Sequence, residues 1–192
     1  EGYKLHQYNP SSGTTKNWAF DEMIGAAVPT ENGSLLLAME KGLASCDLET
    51  GGLKKHGVLK NSNPKIRFND GKVGPAGDFW IGTMDKNCAP EAGNLYRVAP
   101  DLKASLQISD TSVSNGLAWS SDKRTFYYID STTFTVRAFD YHLPGRKVAS
   151  QNGLISDPKT IIEVPEDYGS PDGMSIDKDG MLWVAHWGGN CV

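Results

Sequence analysis

The sequence predicts an all-β fold, a β-propeller, on three observations. One hairpin unit recurs, its copies fall at blade-like spacing, and no stretch reads as a convincing amphipathic helix. The clearest copy is residues 67–84, RFNDGKVGPAGDFWIGTM. A polar cluster, Arg67 to Gly71, leads one strand; Pro75-Ala76-Gly77-Asp78 turns; Phe79-Trp80-Ile81 opens the next strand. Residues 114–129 and 171–185 repeat the layout, with Asn115-Gly116 and Asp172-Gly173 at the matching place. Residues 24–38 are a weaker copy, with Asn32-Gly33 at the turn and no acid or amide in the lead. Gly71 to Gly116 is 45 residues and Gly116 to Gly173 is 57, which suits blades built of short strands.

Residues 3–8 (YKLHQY) alternate, Asn9-Pro10-Ser11-Ser12-Gly13 turns, and 14–20 returns as a hairpin ahead of the 24–38 copy. Residues 42–48 and Gly52–Leu59 supply two further strands around Glu49-Thr50-Gly51-Gly52, and 60–66 is a loop. The 67–84 unit continues through a loop at 86–92 into 93–98 and an outer strand near 103–109. The 114–129 unit adds 136–141, turns at Leu143-Pro144-Gly145, and carries a long polar insertion, Ser150–Lys159. The last unit ends after two strands, at 182–187. Both ends fall inside a blade, so residues 1–192 are expected to form a single β-propeller domain, incomplete at both ends, with about four blades of a longer ring.

Hydrophobic content of 39% with 22% charged residues marks a globular chain, and 21 glycines suit many tight turns. A net charge of −4 without a basic cluster argues against nucleic acid as partner. No apolar run approaches a membrane span. Cys46, Cys88 and Cys191 are widely spaced and odd in number, so they read as free thiols of an intracellular, cytoplasmic protein.

In a propeller the first strand of each blade lines the channel, so equivalent residues converge. Asn69/Asp70, Asn115 and Asp172 therefore bring oxygen-bearing side chains together, a donor set for a hard divalent cation such as Ca²⁺ or Mg²⁺. Without His or thiolate there, a closed zinc site is not expected. Asn-Gly and Asp-Gly are also ordinary turn dipeptides; their repetition at one place in the unit is what argues for function. Arg67 either aims its fork at a substrate oxygen or makes a surface ion pair. The four histidines, His6, His56, His142 and His186, lack metal or triad spacing, though His186, near an inner-strand end, is a candidate for a pocket role. Trp80, Trp119 and Trp183 fall on strands and read as core.

RFNDGK (67–72), GTM (82–84), SNGL (114–117), YYIDS (127–131), FDY (139–141), PDGM (171–174) and LWVA (182–185) together resemble the senescence-marker-protein, gluconolactonase and regucalcin family. The resemblance implies a six-bladed β-propeller with one divalent metal near its axis and hydrolysis of sugar lactones. It makes Asn115 and Asp172 metal ligands, with Asp172 also the catalytic acid/base. Arg67 and Asn69 match substrate contacts. A further substrate contact, a Glu in some members, falls at or near Asn87 here. The family's third metal ligand is a Glu ahead of the segment that YKLHQY resembles, and Glu1 is not in the matching motif. By this resemblance the chain covers the middle two-thirds of the family. Calcium is favoured over zinc, magnesium or manganese, and the expected partner is a small sugar lactone. The rivals are a non-catalytic calcium-binding regulatory propeller, a related esterase or organophosphate hydrolase, and a pure interaction scaffold.

Overall fold

The computed structural model describes residues 2–145 and 154–192; Glu1 and residues 146–153 lie outside them. Four antiparallel sheets follow one another along the chain, each an up-and-down meander. The first holds β1 (Gly2–Asn9), β2 (Thr14–Pro29), β3 (Leu35–Met39), β4 (Gly42–Cys46) and β5 (Leu53–Lys55). The second holds β6 (Ile66–Val73), β7 (Phe79–Asp85), β8 (Gly93–Val98) and β9 (Ala104–Thr111). In the third are β10 (Ser114–Trp119), β11 (Thr125–Asp130), β12 (Thr135–Tyr141) and β13 (Ile155–Glu163). The fourth pairs β14 (Ser170–Ile176) with β15 (Leu182–Trp187).

The second half of β2 and the strands β6, β10 and β14 lie side by side, as the inner strands of propeller blades do. Strand alternation then supplies a core between each pair of sheets. On β7, Phe79 and Ile81 pack with Leu36, Ala38 and Phe68 against the first sheet. Trp80, between them in sequence, turns the other way onto Leu117, Trp119, Phe126 and Tyr128 of the third. Ala118 and Ile129 face Met174 of the fourth sheet.

Four details differ from the sequence reading. The return strand at 14–20 and the copy beginning at 24 are one strand, β2. Between the two, the Glu22 carboxylate is buried and accepts bonds from Lys55 Nζ (2.6 Å) and the Lys41 amide (3.2 Å), so the strand runs through. Of Gly52–Leu59 only Leu53–Lys55 is strand. Residues 155–159 of the presumed insertion belong to the outer strand β13; residues 150–153 lie outside the described residues. An outer strand exposed along most of its length needs no apolar alternation, and so sends no signal. Finally, Trp183 is 57% exposed. Its neighbour Val184 packs toward the third sheet, so Trp183 occupies the opposite face of β15, where its indole N–H donates to Asp177 Oδ2 (2.9 Å).

Candidate functional site

Every inner strand carries a β-bulge at the same place. The register slips between Ile24 and Ala26 on β2, Phe68 and Gly71 on β6, Asn115 and Leu117 on β10, and Pro171 and Met174 on β14. The repeated Asn-Gly and Asp-Gly pairs are therefore bulges within strands, not turns, and a bulge re-aims the side chain beside it. At Gly25 and Gly116 there is no room for a side chain because the next blade is close. A Cβ on Gly25 would lie 2.5 Å from the Phe68 carbonyl oxygen, and one on Gly116 would lie 2.7 Å from that of Asp172.

The bulges aim Asn69, Asn115 and Asp172 into one cavity of about 420 Å³, together with Arg67. Asp70 is not among the described residues that line it. Its carboxyl accepts the Gly71 N–H (2.8 Å); burial pushes it above the ordinary aspartate range, with the Asp172 charge adding and Lys72 opposing. Lys72 reaches across to the Met174 carbonyl (2.7 Å). Asn87 is exposed and also absent from the described lining, although its neighbours Lys86 and Cys88 belong to it. The Asn87 amide donates to Asp85 Oδ1 (2.7 Å), fixing the start of that loop. His186 does not line the cavity; its Nδ1 lies 3.1 Å from the Tyr168 carbonyl.

Met84, Val113, Ser131, Thr132, Ser170 and Trp187 complete the wall. Sequence reasoning missed all of them as site residues. Ser131 had a signal: it ends the YYIDS motif on the strand that pairs with SNGL.

The polar groups are held firmly. Arg67 donates to Asn69 Oδ1 (2.8 Å), and Asn69 Nδ2 donates to the Ser114 carbonyl (2.9 Å), bridging two inner strands. Asn115, 6% exposed, donates through Nδ2 to Ser131 Oγ (3.0 Å). No described donor reaches its Oδ1 or either carboxylate oxygen of Asp172. Two acceptors without donors, facing one cavity from adjacent blades, fit a hard cation as part of its shell. No group of three or more His, Cys, Asp or Glu suited to a metal occurs among the described residues, so these two residues alone do not form a complete site. All three cysteines are free, Cys46 buried and Cys88 and Cys191 exposed. No helix among the described residues is long and apolar enough to cross a membrane.

A family model described as SMP-30/Gluconolactonase/LRE-like region matches residues 1–192. Regucalcin of Danio rerio is 36% identical over 193 residues, 100% of this chain and 63% of that protein. A solved luciferin-regenerating enzyme superposes with a TM-score of 0.86 at 29% identity, over 98% of this chain and 63% of that one. A calcium-binding protein, regucalcin, from Agrobacterium tumefaciens gives 0.86 at 29%, over 97% and 61%. The chain thus spans less than two thirds of the length of these relatives.

Proposed function

Because the chain belongs to the SMP-30/gluconolactonase/LRE-like family, we propose that it is part of a metal-dependent hydrolase that opens sugar lactones. The observation that carries this reading is a pair of acceptors that no described donor reaches, Asn115 Oδ1 and the Asp172 carboxylate, turned into a cavity that Arg67 also lines. These two residues would hold the ion, calcium by preference for its hard oxygen ligands. Bound there, a divalent cation supplies Lewis acidity to the ester carbonyl and to the oxyanion it becomes.

Asp172 is the acid/base. It takes a proton from the water that attacks the carbonyl carbon and returns it to the alkoxide as the ring C–O bond breaks. Asn115 contributes a neutral oxygen and so keeps the site electrophilic. Arg67 and Asn69, locked to one another, hold the sugar hydroxyls and fix the ring for attack. In the full-length protein, Asp172→Ala or Asn115→Ala abolishes metal-dependent acid release from aldonolactones followed by pH-stat. Unchanged turnover in either variant overturns the mechanism.

The regucalcin relatives, one of them described as calcium-binding, support a second reading: a binding propeller without catalysis. It predicts calcium binding with no acid release from any lactone.

A further inference from the structure

We propose that Ser131 is a positioning residue that sets which end of the Asn115 amide faces the cavity. The inference rests on Asn115 as a cation ligand and adds what orients it.

The two ends of an asparagine amide are nearly equal in size and opposite in polarity. Oδ1 attracts a cation; the NH₂ repels it. A ligand asparagine therefore needs a neighbour that distinguishes them. Asn115 is only 6% exposed, so its amide has few water partners and a fixed protein neighbour decides its orientation. Ser131 Oγ, 3.0 Å from Nδ2, accepts from the amide nitrogen and leaves Oδ1 for the cavity.

Ser131 is itself held in place. It is 7% exposed and opens a 3-10 turn, Ser131–Thr133. Its N–H donates to the Val113 carbonyl (3.1 Å). The Asp130 carboxylate just before it accepts the Ser112 and Val113 amides (2.8 and 2.9 Å) and the Thr132 hydroxyl (3.1 Å). Thr133 Oγ1 donates back to the Asp130 carbonyl (2.8 Å). Asp130 thus ties the turn to the chain entering β10, so Ser131 Oγ and Asn115 cannot drift apart. Such outer partners of metal ligands are worth about 10–100-fold in metal affinity.

The test is calorimetric titration of the metal-free, full-length protein with Ca²⁺, comparing wild type, Asn115→Ala, Ser131→Ala and Ser131→Thr, with thermal melts of each metal-free form. Asn115→Ala should lose binding. Ser131→Ala should bind about 10–100-fold more weakly while its metal-free form, destabilised by one lost buried hydrogen bond, stays folded at the titration temperature; Ser131→Thr, which keeps the hydroxyl, should bind like wild type. If Ser131→Ala binds like wild type while Asn115→Ala does not, the positioning role is overturned and the cation site stands. Equal losses in Ser131→Ala and Ser131→Thr also overturn it, because the hydroxyl is then irrelevant. Wild-type binding by Asn115→Ala removes the cation reading and this inference with it. Should Ser131→Ala not fold, Ser131→Cys, with its weaker acceptor, is expected to bind with intermediate affinity, and wild-type affinity there refutes the proposal.

Discussion

At Asn69 both ends of the amide are committed to the protein, Oδ1 to Arg67 and Nδ2 to the Ser114 carbonyl. Its first effect is to brace one blade against the next; any contact with substrate is made by an amide already fixed. That bracing was not legible in the sequence, because it depends on how closely two inner strands approach. That Asn115 and Asp172 face one cavity was legible, because repetition of Asn/Asp-Gly at one place in the unit singles them out. Ser131 was legible only as the last residue of YYIDS; a serine at a strand end has many ordinary uses, and its contact with Asn115 depends on the fold. Glu22 offers a test of single-residue electrostatics. Burial acts to raise its pKa, but the Lys55 bond, the Lys41 amide and both lysine charges outweigh it and hold the carboxyl below its ordinary range. A lowered carboxylate stabilises the fold above its unfolded-state pKa and loses that contribution as pH falls through the lowered value. Glu22→Gln should therefore cost about 1 kcal/mol at pH 7, discounted for two exposed lysines. In urea titrations the gap to wild type should close as the pH is taken below the ordinary glutamate range.

The inner hairpins close with one and the same turn. The first turn residue donates to the carbonyl four residues on, and the fourth donates back to the first: Thr30/Ser34, Gly74/Asp78, Ser120/Thr125 with one extra residue, and Asp177/Met181. The returning position is left-handed in each, at Gly33, Gly77, Lys123 and Gly180. Three are glycine and were readable as turns; Lys123, at φ 57°, bears the steric cost of a Cβ there. Lys123→Gly should raise the unfolding free energy by about 0.5–1 kcal/mol, after the entropy glycine adds to the unfolded chain. Chemical denaturation measures this, and an unchanged or lowered midpoint counts against it. The hairpins were legible because their inward faces alternate. β13 was not: its described side chains are mostly exposed, and a polar outer strand looks like a loop.

Across the whole molecule, blades are held together by side chains from alternate faces of each strand and, near the axis, by backbone against backbone. Trp80, fully buried between the second and third sheets, is the outer contact; Gly116 against Asp172 is the inner one. Gly116→Ala puts a methyl group where the Asp172 carbonyl already is, and main chain gives way less readily than a side chain. It should cost about 1–3 kcal/mol of stability and weaken calcium binding as well, since Asn115 and Asp172 sit on the two strands pushed apart. Denaturation and calorimetry read the two losses, and a stability loss with intact affinity would separate packing from the site. The sheets and their order were readable from the spacing of the units; the distance between blades was not. The bulges have one more consequence. Beyond each of them, the extra residue sets which side chains point to which neighbour: Leu117 and Trp119 toward the second sheet, Ala118 toward the fourth. Losing one codon there, at Gly116 for instance, would turn the remainder of the strand inside out. Evolution can exchange residues along these strands with some freedom, but it cannot change their length.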